Sequence, residues 1–342
     1  MTVNVDRSSK LLQVLRAATG DPNLAYAEPP RPLSGGFWAE LLAFSLADPP
    51  PGWPGELVAR IMPEAAAALK ETIVQGAVAA AGFPTPVVRA SGRDGGLGPA
   101  FMVMDHAAGV HLLSGLAGAG AIASALTAMR EMPGLLAATM ARLHSLDPAP
   151  VRDQLGSSCD TPVTVPGMLV VLREMAYFYG RQDLAAAAHW LIDNPLPPAP
   201  EVICHGDLHP FNLLVDGADV CLLDWSAALL APRAYDVAFT SLLLAEPPLD
   251  VPSALRPFVR RLGARLARRF VAHYEQDTGA RVAIRELRWH QGVACLRALV
   301  ESAGWAQQGL TEARAGHPWL TCGPAFARRL TALTGSRVRT GG

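Results

Sequence analysis

The sequence predicts an α+β fold in two lobes, a small antiparallel sheet followed by a larger, mainly helical part. Up to about Asp105, short apolar runs alternate with loops rich in Gly and Pro, which is typical of strands. From about Leu112, apolar residues recur at three- and four-residue spacing, which is typical of amphipathic helices. We therefore predict a first lobe over residues 1–105 and a second over residues 106–342.

The first lobe begins with a predicted helix over Ser8–Ala18, which starts at a capping Ser and stops at Gly20. Strand-like sequence lies on both sides of the segment Leu33–Trp38, and Asp48–Gly55 is too rich in Pro and Gly to be anything but a loop. The remaining predicted elements are strands at Leu57–Ile61, Val87–Val88 and Phe101–Met104 and a helix over Glu64–Ala81.

The second lobe contains one strand-rich region within helical sequence. Val202–Cys204, Leu213–Val215 and Val220–Leu223 are short apolar runs, and the last two are joined by the turn dipeptide Asp216–Gly217, which predicts a hairpin. Helices are predicted over Leu135–Ser145, Met168–Tyr179, Leu184–Ile192, Asp236–Leu244, Ala254–Gln276, Ile284–Gln308 and about Ala325–Leu333.

The composition excludes several classes of function. The chain has 342 residues, of which 50% are hydrophobic and 17% charged, with a net charge of −1, so neither a nucleic-acid nor a membrane-surface partner is expected. Five cysteines without metal-type spacing and a polar N-terminus predict a reduced, cytoplasmic protein. The segment Ala107–Met129 lacks charged residues, but its Gly and Ser content favours a buried helix plus loop over a membrane span.

Three polar groups are predicted to meet at one end of the hairpin. Asn212 precedes its first arm and Asp224 follows its second, so an antiparallel pairing brings them together, while Asp207 lies on the loop that enters the hairpin. Carboxylate and amide oxygens are ligands that suit Mg²⁺. Asp207 would then orient a hydroxyl for phosphoryl transfer. The alternative is an ordinary surface hairpin with solvated Asp and Asn side chains.

The segment His205–Asn212, followed by Asp224–Trp225, resembles the aminoglycoside phosphotransferase and choline kinase group, whose catalytic loop reads His-Gly-Asp-x-x-x-x-Asn. The segments Leu143–Pro148 and Pro232–Ala238 also look like stretches of this family. The resemblance covers roughly residues 25–310 and implies a protein-kinase-like fold.

By this resemblance, Asp207 is the catalytic base, and Asn212 and Asp224 are the metal ligands. Asp236 is expected to be a structural acid, and His205 to pack under the loop. The cofactors implied are ATP (or GTP) and Mg²⁺, and the partner is a small-molecule alcohol acceptor. The sequence carries no indication of oligomeric state.

The nucleotide-binding residues are expected in the first lobe. Ser34, Gly35 and Gly36 suit a loop over phosphates because glycine lets backbone N–H groups approach anions closely. A simple Gly-Gly turn is the alternative. The resemblance further implies an ion pair between Arg60 and Glu71, although the family usually has Lys on that strand. An exposed Arg with a solvated Glu is the alternative.

The segment that follows the last strand of the first lobe is expected to bind the base of the nucleotide. In kinases the backbone there forms hydrogen bonds with adenine, so Asp105 and Ala107 would offer main-chain groups and Met104 would pack beside the base. Methionine in a strand is also ordinary core. Late helices wall the acceptor pocket in this family, but core packing is the favoured explanation for Trp289 and Trp305.

The favoured interpretation is a small-molecule O-kinase. A nucleotide-binding pseudokinase with a sensing or scaffolding role is the runner-up, because Arg60 replaces the usual Lys. Protein kinase activity is disfavoured because no Ala-Pro-Glu motif follows Asp224. The 30 acidic and 29 basic residues balance, which favours a neutral or partly hydrophobic alcohol over a polycationic acceptor.

Overall fold

The structure is a computed structural model that describes residues 5–33, 39–93, 96–112, 121–158, 161–249, 251–252 and 254–340. The chain divides into two compact units, each of which takes in more than one stretch of sequence. The described parts of unit 1 belong to Met1–Leu112, Ala149–Thr161 and Phe211–Ala228. Those of unit 2 belong to Leu113–Pro148, Pro162–Pro210 and Leu229–Gly342.

The described residues form three antiparallel sheets. The first, in the order β1-β2-β3-β5-β4, has five strands; the second pairs β7 with β10; the third has the order β6-β8-β9. The strands are β1 Ala25–Pro32, β2 Glu40–Ala47, β3 Glu56–Met62, β4 Val88–Arg93, β5 Ala100–Asp105, β6 Val110–His111, β7 Glu201–Cys204, β8 Leu213–Asp216, β9 Asp219–Leu222 and β10 Leu229–Pro232.

Helices make up most of unit 2. The helices of the described residues are α1 Val5–Thr19, α2 Ala65–Ala80, α3 Ala121–His144, α4 Ala149–Ser158, α5 Val165–Phe178, α6 Gln182–Asp193, α7 Ala234–Ala245, α8 Arg256–Thr278, α9 Ile284–Gln307 and α10 Pro318–Thr334. Local signals explain several ends: Thr164 accepts a hydrogen bond from the Gly167 N–H at the start of α5, and α8 ends at Gly279 with φ 67°.

Each unit has its own apolar core. In unit 1, Leu11 and Leu15 of α1 pack with Phe44 and Leu57 of the five-stranded sheet. Helix α9 lies at the centre of unit 2, and most of its residues between Leu287 and Trp305 are therefore buried. Helices α5, α6, α7 and α10 pack around it. Glu71 and Arg297 interrupt these apolar surroundings as buried charged residues.

The predicted α+β class and the hairpin are confirmed. Three helices differ from expectation. Helix α4 was not predicted; its Pro150 lies in the first turn, where a missing N–H is tolerated. Helices α3 and α10 begin earlier than predicted and continue through Pro133 and Pro324. Strand β10 was missed because four residues are too few to show a period. No described helix is long and apolar enough to cross a membrane.

Candidate active site

The hairpin of unit 1 brings Asn212 and Asp224 to the same end, as predicted. Strands β8 and β9 pair Leu213 with Leu222, and the Leu223 N–H donates to the Asn212 carbonyl oxygen at 2.8 Å. The two arms of the hairpin therefore still run side by side at Asn212 and Leu223, and Asp224 is the next residue. The backbones of Asn212 and Asp224 therefore lie at the same end of the hairpin.

The backbone of Asp224 adopts a left-handed conformation, with φ 65°, which is uncommon for a residue with a side chain. The neighbouring Trp225 is fully buried, and its indole N–H donates to the Thr85 hydroxyl at 2.8 Å. The ring also packs edge-on against Phe83, with 5.8 Å between centroids. Burial of this tryptophan holds the strained turn in place, since such a conformation costs about 1–3 kcal/mol.

Arg60 links Asp224 to Glu71 inside unit 1. Its Nη2 lies 3.2 Å from Asp224 Oδ1, and its Nε lies 3.3 Å from Glu71 Oε1. Arg60 and Glu71 are 8% and 3% exposed, so the alternative of a solvated pair is excluded. Burial raises the pKa of Glu71 to about 7, against the opposing effect of Arg60. Burial acts to lower the pKa of Arg60, but Glu71 and Asp224 outweigh it.

The other predicted nucleotide residues are placed only in part. Ser34, Gly35 and Gly36 lie outside the described residues. Asp105 ends β5; its amide N–H donates to Val87 O, and its carboxylate accepts two bonds of 2.6 Å from Arg89.

Two further residues complete this predicted group. Met104 is half-buried, and its sulfur lies 3.4 Å from Gln75 Nε2. Ala107 is also half-buried. Because the Asp105 amide is already committed, only the carbonyl of this residue stays predicted to bind the base, and the main-chain groups of Ala107 stay predicted beside it.

In unit 2 the loop that carries Asp207 is anchored by Asp236. The His205 and Gly206 amides donate to the two Asp236 carboxylate oxygens, both at 2.7 Å. Asp236 is 1% exposed and lies 3.2 Å from His144 Nε2, while His144 Nδ1 lies 2.7 Å from the Tyr274 hydroxyl. Asp236 is thus the structural acid that the sequence predicted.

The loop is further shaped by its own residues. Gly206 has φ 75°, a conformation that glycine adopts without strain. The Asp207 N–H donates to His205 Nδ1 at 3.3 Å, and the Leu208 carbonyl accepts a bond of 2.7 Å from the Thr240 hydroxyl. His205 is fully buried, as expected for a residue beneath the loop. The carboxylate of Asp207 is 25% exposed and is therefore available to a substrate.

Two basic side chains lie beside the Asp207 carboxylate. His209 Nε2 is 3.5 Å from Oδ2, and Arg297 Nη2 is 3.8 Å from Oδ1. Sequence reasoning did not single out Arg297. A signal existed, because Arg297 is the only charged residue in the apolar run Val293–Val300.

One cluster in the described residues has the composition of a metal site. His144, Cys204 and Asp236 place potential ligand atoms within 4.8 Å of one another. However, both Asp236 carboxylate oxygens already accept hydrogen bonds from backbone N–H groups. The two His144 nitrogens lie within hydrogen-bond distance of Tyr274 and Asp236. We interpret the cluster as a hydrogen-bonded anchor for the loop.

Asn212 and Asp224 carry side-chain oxygens of the kind that could hold a magnesium ion. Mg²⁺ takes one or two carboxylates from a protein and completes its shell with water and phosphate oxygens. The Asp224 side chain is 32% exposed, which leaves its carboxylate accessible, and the backbone at Asn212 lies next to it.

Comparison with protein families gives a match over most of the chain. The model of the phosphotransferase enzyme family matches residues 43–287. None of the curated proteins searched matches. Three solved structures illustrate the similarity, each at less than a fifth identity.

A putative aminoglycoside phosphotransferase from Ralstonia eutropha JMP134 is 18% identical, with a TM-score of 0.63, 94% of this chain covered and 95% of that one. A thermostable mutant of aminoglycoside phosphotransferase APH(4)-Ia is 18% identical, with a TM-score of 0.59 and coverage of 96% and 100%. A choline/ethanolamine kinase family protein from Mesorhizobium loti is 16% identical, with a TM-score of 0.54 and coverage of 96% and 100%. The predicted protein-kinase-like fold is confirmed.

Proposed function

Because the chain belongs to the phosphotransferase enzyme family, we propose that it moves the γ-phosphoryl group of ATP (or GTP) to a hydroxyl of a small molecule in a Mg²⁺-dependent reaction. The observation that carries this proposal is the anchored loop of Asp207. Its carboxylate is partly exposed, while the two preceding amides are fixed by a buried acid. A loop built in this way suits a group that must orient a substrate.

The nucleotide would be held by groups of unit 1. Arg60 carries a permanent charge, and its fork of N–H donors matches phosphate oxygens. Glu71 would keep the guanidinium in place through the ion pair described above. Asn212 and Asp224 would hold Mg²⁺, and the bound ion would neutralise charge on the phosphates. A thermostable mutant of APH(4)-Ia, which has a similar fold, forms a ternary complex with ADP and hygromycin B, and this supports nucleotide binding here.

Asp207 would accept a hydrogen bond from the acceptor hydroxyl and aim its oxygen at the γ-phosphorus. The new bond joins that oxygen to the γ-phosphorus, and the bond between the γ-phosphorus and the β,γ-bridging oxygen breaks. The hydroxyl proton passes to the Asp207 carboxylate. Positioning and charge neutralisation, and not a covalent intermediate, supply the acceleration.

The acceptor is proposed to be a neutral or partly hydrophobic alcohol. Total acids and bases balance, at 30 and 29, and half of the residues are hydrophobic. A polycationic acceptor would call for an excess of acidic groups, which this composition does not offer.

The test is the substitution Asp207→Asn, assayed by ADP release across aminoglycosides, macrolides, choline-like amines, sugars and other hydroxylated compounds. Loss of the base is expected to lower kcat by roughly 10²–10⁴-fold. Nucleotide affinity should be unchanged. Asp219→Asn, at the exposed first residue of β9, serves as the control and should keep full activity. Wild-type turnover by the Asp207→Asn protein would refute the proposal.

The second candidate is a nucleotide-binding pseudokinase with a sensing or scaffolding role. The observation in its favour is Arg60 at the strand position where the family usually has Lys. Calorimetric binding of MgATP by the wild-type protein, with no transfer to any compound of the panel, would support this alternative over the kinase.

A further inference from the structure

Arg297 is buried in the middle of α9 and is 8% exposed. A charge in such apolar surroundings is destabilising unless it is paired and hydrogen-bonded. Its partners, all within unit 2, therefore indicate what the side chain does.

The first partner is the backbone immediately before Asp207. Arg297 Nη1 donates to the Gly206 carbonyl oxygen at 3.0 Å. That oxygen belongs to the same peptide group as the Asp207 N–H, which donates to His205 Nδ1. The Gly206 N–H is in turn held by Asp236. Both polar atoms of the peptide that carries Asp207 are thus fixed by side chains.

The second set of partners is a pair of carboxylates. Arg297 Nη2 lies 3.8 Å from Asp207 Oδ1, and Nε lies 3.7 Å from Glu301 Oε1. These distances are too long for hydrogen bonds, but they are short enough for opposite charges to attract each other. Glu301 is itself held, because the Trp319 indole N–H donates to its Oε2 at 2.8 Å.

Aromatic rings hold the guanidinium group from other directions. Its carbon lies 5.2 Å from the ring centroid of Phe239 and 5.5 Å from that of Trp319, within the range of cation–π interactions. Both rings are buried. The packing restricts rotation of the side chain, so that the nitrogens stay aimed at Gly206 and Asp207.

We propose that Arg297 is a positioning residue that sets the orientation of the Asp207 carboxylate, an inference that rests on the function proposed above. One nitrogen fixes the peptide and another attracts the carboxylate. The guanidinium does not need to touch the substrate. Its loss should therefore lower turnover and leave nucleotide affinity unchanged.

The experiment compares Arg297→Met with a matched control, Arg181→Met. Arg181 is also a buried arginine of unit 2; it pairs with Asp183 at 2.8 Å and donates to the Arg339 carbonyl at 3.0 Å. Both variants should melt at lower temperature. Only Arg297→Met should lower kcat, by about 100-fold, as expected for a misplaced catalytic group. KM for the nucleotide should stay the same in both.

A further variant, Arg297→Lys, keeps the charge but offers one ammonium group for two separate targets. Its kcat is expected between those of the wild type and Arg297→Met. If kcat of Arg297→Met is no lower than that of Arg181→Met, the inference is wrong. Should Arg297→Met fail to fold, full turnover by folded Arg297→Lys overturns it. Failure of the proposed function is recognised separately, because the wild type would then transfer phosphate to no compound of the panel, or Asp207→Asn would keep wild-type turnover.

Discussion

Arg60 of unit 1 and Arg297 of unit 2 are equally buried, at 8% exposure each, but they are held in different ways. Arg60 lies between the carboxylates of Glu71 and Asp224, at 3.3 and 3.2 Å. Arg297 has two carboxylates as well, but a backbone carbonyl and two aromatic rings also hold it.

The difference has a functional meaning. A guanidinium held only by carboxylates can exchange one of them for a phosphate oxygen with little rearrangement, whereas one fixed to backbone and rings can only hold its neighbours. We therefore expect unit 1 to contribute groups that change partners when a nucleotide binds. Unit 2 is expected to contribute a catalytic loop whose shape is set in advance.

The largest expected effect comes from Asp236→Ala, which removes the anchor of the unit 2 loop. Two amides and His144 would lose a charged partner in a buried place. The free energy of unfolding should fall by about 3–5 kcal/mol, measured by urea denaturation.

Glu71→Gln is the comparison substitution in unit 1. Because burial raises the pKa of Glu71 to about 7, loss of its charge should cost little near neutral pH, and the amide should replace the carboxyl group with little destabilisation. If Asp236→Ala and Glu71→Gln lowered the free energy of unfolding equally, the buried acids of the two units would be equally important for stability. Unit 2 would then not differ from unit 1 in having a more firmly fixed site.

The pH dependence of stability should separate the two units by sign. Burial raises the pKa of Glu71 to about 7 from 4.5, so the folded protein binds more protons between these values and stability falls as pH rises through that window. Burial lowers the pKa of His290 in unit 2 to about 4 from 6.5. There the unfolded chain binds more protons, so stability falls as pH drops from 6.5 to 4. Each effect amounts to roughly 3 kcal/mol across its window.

The two slopes oppose each other between pH 4.5 and 6.5 and are revealed by single substitutions. Glu71→Gln should leave the rising slope of His290, and His290→Leu should leave the falling slope of Glu71. The measurement is the urea midpoint at several pH values. Parallel profiles for both variants and the wild type would contradict the assigned directions.

The smallest expected effect is that of Arg60→Met on nucleotide binding. Loss of a charged hydrogen-bond donor should raise the dissociation constant for ATP by about 10–100-fold, measured by calorimetry. Stability should change little, because Glu71 can take up a proton once its partner is gone. Arg31→Ala removes an exposed ion pair of the same sheet, with Glu56, and should have no effect. Unchanged affinity in Arg60→Met would mean that Arg60 does not bind phosphate.

Local sequence was sufficient for the parts of the site that lie close together in the chain. Asp216–Gly217 predicted the turn, and the apolar runs around it predicted both arms, so the meeting of Asn212 and Asp224 followed from pairing alone. The loop of Asp207 was recognised from its neighbours in sequence. The roles of Asp207, Asn212 and Asp224, and the phosphate loop at Ser34–Gly36, stay predictions.

What the sequence by itself determined is most of the succession of strands and helices and the identity of the acids and the amide that carry the proposed chemistry, because these depend on residues a few positions apart. The tertiary structure alone decided which distant groups hold them. Asp236 reaches amides 31 and 30 residues earlier, and Arg297 reaches a carbonyl 91 residues earlier. No local pattern encodes such pairings, since they arise only when helices pack and a buried charge must find the polar atoms left beside it.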